Sequence, residues 1–114
     1  MQLKYSSCQF IFIYTIEAHA QDRWRLDGSV QVNEPKTNIE RSEIVHQFIQ
    51  RTNWPIQEIP IWMDNVELDN PFEKAYACWP LRFYIIKNYN QITYIAQPHQ
   101  GSFNLKDLTD NIYN

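Results

Sequence analysis

The sequence predicts an α/β fold in which a strand and a long polar excursion are followed by α, β, α, β, β and α elements. Two observations support this prediction. Phe10–Ile16 is a continuous run of apolar, β-branched and aromatic residues, which is typical of a strand covered on both faces in a parallel sheet. Capping signals followed by apolar residues at helical spacing mark the helices. We expect a mixed sheet, because the last two strands form a hairpin.

The first strand is followed by a polar stretch from Glu17 to Pro35. Long loops at the carboxyl end of a strand commonly build functional sites. Thr37 and Glu40 then form a capping box, and an amphipathic helix up to Arg51 is predicted from apolar residues at helical spacing, namely Ile44, Val45, Phe48 and Ile49.

A second strand is predicted over Ile59–Met63, ending at Asp64. Asn70, Pro71 and Glu73 then supply an N-cap, a proline at the first helical position and a capping-box carboxylate. The helix that starts there is expected to hold Cys78 and to stop before Trp79-Pro80, since the residue before a proline avoids the helical region.

The C-terminal third predicts an antiparallel hairpin and a final helix. The runs Arg82–Ile86 and Ile92–Ala96 are strand-like, and the asparagines between them suit a tight turn. A terminal helix follows, capped by Ser102 or Asn104, with one apolar face formed by Leu105, Leu108 and Ile112. This order matches the C-terminal half of a thioredoxin fold, although several other α/β sheets satisfy it.

Composition restricts the class of protein. The chain has 114 residues, 44% of them hydrophobic, so we expect a single domain over residues 1–114. Its net charge of −3 and the lack of a Lys/Arg stripe argue against a nucleic-acid partner. The two cysteines have no metal-ligand spacing, and we expect no bound metal. The longest apolar run is far shorter than the ~20 residues that span a bilayer.

The sharpest motif is Tyr14-Thr15-Ile16-Glu17-Ala18-His19 with Asp22 and Trp24 after it. It resembles the segment that follows the central strand in iodothyronine deiodinases. Further matches from about Tyr5 onward keep that family's order, namely Arg41, Asp64, Ala75-Tyr76-Ala77, Pro80 to Ile86, Tyr94 and Gly101. The chain is therefore identified as a member of this family.

The resemblance implies a thioredoxin-like fold and reductive removal of iodide from an iodinated phenolic small molecule. Such enzymes use a selenocysteine or cysteine nucleophile and a thiol reductant as co-substrate, with no bound cofactor. A homodimer is compatible with the resemblance, and membrane association would come only through an N-terminal segment. The family's nucleophile precedes the helix before the strand matching Phe10–Ile16, so we expect a partial domain that lacks the first βα unit and is inactive alone. We further expect Met1 to be a gene-model restart after a selenocysteine codon.

The resemblance assigns proton delivery and substrate contact to Glu17 and His19. Carboxylate and imidazole suit this work, because their environments can bring both pKa values near neutrality. Residues two apart in extended chain point to the same side. The alternative is an exposed loop acid and a capping histidine.

The resemblance also assigns substrate contacts to the second half of the chain. Arg82 would hold a polar end of the substrate, or form a salt bridge to Asp64 or Glu17. Pro80 matches a proline that faces the nucleophile, and Trp24 would line an aromatic pocket or pack in the core. Cys78 is a candidate resolving thiol, with a small buried hydrophobe as the alternative.

Several positions depart from the family pattern. The family has a histidine before the first helix, but the corresponding stretch here, from Glu34 to Thr37, contains none. Ile16 occupies the position where the family usually has a second acid, and Arg23 occupies the position of a glycine. Substrate identity therefore remains open. Two other functions are compatible with the sequence: a non-catalytic thioredoxin-like binding module and a peroxiredoxin-like thiol peroxidase fragment.

Overall fold

The computed structural model describes residues 8–17, 32–78, 81–88, 90–96 and 103–113. Its elements follow the predicted order and are β1 (Phe12–Tyr14), α1 (Asn38–Thr52), β2 (Ile61–Met63), α2 (Pro71–Tyr76), β3 (Phe83–Lys87), β4 (Gln91–Ala96) and α3 (Leu105–Tyr113). The chain divides into two compact units, Met1–Ala77 and Cys78–Asn114. No described helix combines the length and the apolarity needed to cross a bilayer.

The first unit contains a short parallel pair of strands. Phe12, Ile13 and Tyr14 of β1 pair with Ile61, Trp62 and Met63 of β2. Two backbone bonds extend the pair, from the Phe12 amide to the Pro60 carbonyl at 3.0 Å and from the Asp64 amide to the Tyr14 carbonyl at 2.8 Å. Each strand is shorter than its apolar run predicts, because regular pairing covers only three residues of each.

Helix α1 begins with the predicted cap. The Thr37 hydroxyl accepts a hydrogen bond from the Glu40 amide at 3.1 Å, and a Glu40 carboxylate oxygen accepts one from the Lys36 amide at 2.7 Å. The return bond of the capping box is therefore made one residue earlier than in the standard motif. The helix ends at Asn53, whose left-handed conformation (φ 51°) lets its amide bond the Ile49 carbonyl.

An aromatic cluster joins α1 to β1. The Phe12 ring lies 6.1 Å from Phe48 and 5.3 Å from Trp54, and the Trp54 indole donates to the Ile59 carbonyl at 2.9 Å. The strand is covered less than its apolar run predicts, because Phe12 stays 38% exposed and Ile11 41% exposed.

Helix α2 differs from the prediction in its N-terminal cap and in the residue at which it ends. Asn70 adopts a left-handed conformation and its side chain caps nothing; the Asp64 carboxylate instead accepts from the Phe72 amide at 2.9 Å and the Glu73 amide at 2.8 Å. The helix ends at Tyr76, so the prediction that it holds Cys78 was wrong. The physical reason is that Ala77 turns left-handed at φ 49° and closes the helix before the cysteine.

The second unit contains the predicted hairpin and the final helix. Strands β3 and β4 pair antiparallel from Phe83 with Ala96 to Lys87 with Gln91, with a register shift at Ile85/Ile86, and Asn88 takes the left-handed turn position. The Asn104 side chain accepts from the Asp107 amide at 3.1 Å, which identifies Asn104 as a cap of α3. The parallel pair, the antiparallel hairpin and the C-terminal helix confirm a mixed α/β, thioredoxin-like fold class.

Candidate active site

The end of β1 lies in a buried polar network centred on Arg41 of α1. We call it the Arg41 cluster, and its members are Tyr14, Glu17, Glu34, Arg41, Asp64 and Asn70. All six belong to the first unit. Glu17 is the predicted proton donor among them, so the cluster defines the surroundings of that carboxylate.

Arg41 is fully buried, with 0% of its surface exposed. One terminal nitrogen, Nη1, donates to the Asp64 carbonyl at 2.9 Å and to the Asn70 side-chain oxygen at 2.7 Å, and the other, Nη2, donates to Glu34 Oε1 at 3.2 Å. Nε has no hydrogen-bond partner within the part of the chain that the structure describes. A guanidinium is stable at such depth only when it is paired and hydrogen-bonded, and these contacts satisfy that requirement for both terminal nitrogens.

Tyr14 packs its ring against Arg41 and directs its hydroxyl to Glu17. The guanidinium carbon lies 5.7 Å from the ring centroid, within cation–π range, and the hydroxyl donates to Glu17 Oε1. Burial raises the pKa of Tyr14, with further contributions from the bond to Glu17 and from the negative charges of Glu17 and Glu34, while Arg41 acts in the opposite direction. The phenol therefore stays protonated and remains a donor to Glu17.

Glu34 links the backbone of Glu17 to Arg41. The Glu17 amide donates to Glu34 Oε2 at 3.0 Å, while the other oxygen of the same carboxylate pairs with Arg41. Glu17 itself is half-buried. Both its carboxylate and its amide are thus held by hydrogen bonds, and its predicted role in proton transfer concerns a side chain with a defined position.

Asp64 is engaged by backbone amides. Its carboxylate accepts from Asn65 at 3.0 Å as well as from the first turn of α2, where the helix dipole favours negative charge. Its own amide bonds the Tyr14 carbonyl. The residue therefore connects the end of the parallel pair to the start of α2.

The other predicted site residues are described in part. His19, Trp24 and Pro80 lie outside the described residues. Arg82 is half-buried, and its Nη1 donates to the adjacent Leu81 carbonyl at 2.7 Å; its role toward a substrate stays a prediction. Cys78 is a buried thiol and Cys8 a half-buried one. Within the described ranges, no three His, Cys, Asp or Glu side chains converge as a metal site.

Three members of the cluster, Tyr14, Glu34 and Arg41, received no role from the sequence. The dipeptide Glu34-Pro35 predicts a turn at the end of the polar stretch, although Glu34 is buried at 9% exposure. Tyr14 belongs to the family motif, yet its hydroxyl was assigned no contact. The only local signal for Tyr14 is its spacing of three residues from Glu17, and nothing in the local pattern pairs Glu34 with Arg41.

Comparison with known families agrees with the motif. The family model described as iodothyronine deiodinase matches residues 2–112 of the 114-residue chain. The match includes every described element except the last residue of α3, and all members of the Arg41 cluster. The family assignment made from the segment Tyr14–Trp24 is confirmed.

Proposed function

The chain belongs to the iodothyronine deiodinase family, and on that premise we propose that it is a deiodinase-type oxidoreductase domain acting on an iodinated phenolic small molecule. The observation that supports this proposal is the placement of Glu17. Its carboxylate follows the carboxyl end of a parallel strand and accepts the Tyr14 hydroxyl. The carboxyl ends of parallel strands are where α/β sheets bind ligands.

The proposed reaction exchanges iodine for hydrogen on the ring. A selenolate or thiolate attacks iodine, the electron pair of the carbon–iodine bond remains on the ring carbon, and that carbon takes up a proton. One thiol then displaces iodide from the selenenyl or sulfenyl iodide, and a second thiol restores the nucleophile. The sum is aryl iodide plus two thiols giving arene, disulfide, iodide and a proton.

In this scheme Glu17 and His19 deliver the proton to the ring carbon. Acid–base assistance of this kind contributes on the order of 10²- to 10⁴-fold in rate. Tyr14 keeps one Glu17 oxygen engaged and thereby orients the other toward a bound ring. Trp24, Pro80 and Arg82 are the proposed substrate contacts, with Arg82 holding a polar group of the phenol.

The attacking selenol or thiol is not assigned to a residue of this sequence. Cys8 and Cys78 do not match the family's nucleophile position by resemblance, and Cys78, the proposed resolving thiol, is buried. We therefore propose that these 114 residues alone do not release iodide with thiol as the only reactant.

A soluble selenol tests the proposal by supplying the nucleophile. Thyroxine, dithiothreitol and a small alkyl selenol are incubated with the protein, and iodide is measured with an ion-selective electrode. We expect release above the protein-free rate. Glu17→Gln should lower the protein-dependent rate at least about tenfold, whereas Glu43→Gln, at an exposed position of α1, should leave it unchanged.

Each alternative function has its own outcome, measured in a separate experiment on the same protein. Thyroxine binding without any rate increase would indicate a non-catalytic binding module. Consumption of hydrogen peroxide with dithiothreitol, in place of iodide release, would indicate a thiol peroxidase. If E17Q releases iodide at the same rate as the unaltered protein, Glu17 takes no part in the mechanism.

A further inference from the structure

We propose that the Glu34–Arg41 ion pair is a positioning device for Glu17, which it holds through the Glu17 backbone amide. The inference rests on the proposed function, because it assigns Glu34 and Arg41 a role in the reaction only if Glu17 handles the proton. Neither residue is proposed to touch the substrate.

The two oxygens of the Glu34 carboxylate bind different groups. Oε2 accepts the Glu17 amide at 3.0 Å, and Oε1 accepts Arg41 Nη2 at 3.2 Å. Glu34 lies 17 residues after Glu17 and seven before Arg41. Its single carboxylate therefore couples the segment after β1 to helix α1. Tyr14 holds only the side chain of Glu17, so the backbone bond is a separate restraint.

Arg41, the group that Glu34 binds on α1, is itself held by several contacts. Arg41 is fully buried, and it is bonded to the Asp64 carbonyl and the Asn70 side chain, which lie after β2 and before α2. Glu34 is consequently attached to a buried group that its own hydrogen bonds hold in place. Catalytic side chains depend on such support, since small displacements of a reacting group lower the rate strongly.

Replacing Glu34 by glutamine removes one of the two acceptor oxygens. An amide has one acceptor oxygen where a carboxylate has two. In Glu34→Gln that oxygen should stay with Arg41, because a bond to a buried cation is the stronger one, and the amide nitrogen would face the Glu17 N–H without accepting it. The isosteric change thus removes the Glu17 restraint and keeps a partner for Arg41.

Amide hydrogen exchange measured by NMR tests the proposal without reference to activity. In E34Q we expect the Glu17 amide to exchange about tenfold faster, which corresponds to the loss of one hydrogen bond. The Asp64 amide, bonded to the Tyr14 carbonyl, should keep its rate. A general loss of stability would instead accelerate both amides together. Glu43→Gln is the control on α1.

Glu34→Ala is the second variant. Glu34 lines an open groove of about 350 Å³ along α1, so truncation opens the site to solvent and leaves no enclosed void. Faster exchange at Glu17 and an unchanged rate at Asp64 are again expected. Unchanged exchange at Glu17 in both variants overturns the proposal, and if E34A does not fold, unchanged exchange in E34Q alone overturns it.

The selenol assay separates this proposal from the proposed function. If Glu17 is the proton donor and Glu34 positions it, E34Q should lower the rate of iodide release at saturating thyroxine and leave the dissociation constant for thyroxine unchanged. Faster Glu17 exchange with an E17Q variant of full activity would mean that the positioning is correct and the function is wrong. If E17Q is inactive and the Glu17 amide exchanges at the same rate in E34Q as in the unaltered protein, the proposed function is supported and the positioning role is overturned.

Discussion

The two units of the chain are stabilised in different ways. In the first unit, the buried guanidinium of Arg41 connects segments 23 and 29 residues away through its hydrogen bonds. In the second unit, β3 and β4 are neighbours joined by a turn at Asn88, and an ion pair on α3 joins Lys106 to Asp110, four residues apart, at 2.6 Å on the surface. Among the described residues, the polar network of the first unit is thus long-range, whereas the pairs named in the second unit are local.

This difference has a physical consequence. A buried network in a low-dielectric interior is stable only when complete, because each unpaired polar group is then costly. Exposed local pairs lose little when one partner is removed, because water replaces it. Substitutions in the Arg41 cluster should therefore affect stability and the geometry of Glu17 far more than equivalent substitutions in the hairpin unit.

The largest effect is expected for Arg41→Met. The change removes the cation and leaves Glu34 as a buried carboxylate without its ion-pair partner, which should lower the free energy of unfolding by about 3–5 kcal/mol. Urea denaturation monitored by tryptophan fluorescence measures it. Lys106→Met breaks an exposed pair and should change the same quantity by less than about 1 kcal/mol. Equal losses in the two variants would contradict the comparison.

A medium effect is expected at the helix caps. Asp64→Ala removes a buried carboxylate that accepts two amides of α2, and we expect a loss of about 2 kcal/mol in unfolding free energy. Asn104→Ala removes the exposed cap of α3 and should lower the same quantity by about 1 kcal/mol or less. Thermal melts of both variants compare the units directly; a greater loss for Asn104→Ala would reverse the ranking.

The smallest effect at neutral pH is expected for Tyr14→Phe, which keeps the ring over Arg41 and deletes one hydrogen bond, at about 1 kcal/mol. Its signature is pH dependence. Because the folded state raises the pKa of Tyr14 above the ordinary value of 10.0, the unfolded chain loses this proton first, and stability should fall as pH rises above 10. That fall should be smaller in Y14F than in the unaltered protein or in Tyr76→Phe, which alters an exposed tyrosine. Identical pH profiles of stability for all three proteins would contradict a coupling between ionisation of Tyr14 and folding.

Much of the fold was predictable because the signals are local. Thr37 and Glu40 mark the start of α1, Asn88 suits the turn between β3 and β4, and Asn104 caps α3, each through neighbours within a few residues. The start of α2 was predicted at the right place for the wrong reason. Its cap comes from Asp64, and helix-start rules consider only residues adjacent to the helix.

The sequence indicated a candidate residue of the site, Glu17, and not the framework that holds it. Glu17 was identified by the motif that resembles a family, and the family match over residues 2–112 confirms that membership. Glu34 was missed because a carboxylate among turn residues is ordinarily solvated. Only the tertiary arrangement brings it to a buried guanidinium.

The amino-acid sequence by itself determined the order of helices and strands, the hairpin and the family, because periodicity, caps and a continuous motif act over short distances along the chain. The tertiary structure alone decided that Arg41 is fully buried, that Glu34 joins it to the Glu17 amide, and that Asp64 caps a helix that begins seven residues further on. The reason is that a buried charge must find its partners wherever the packed chain places them, and no period in the sequence encodes those distances.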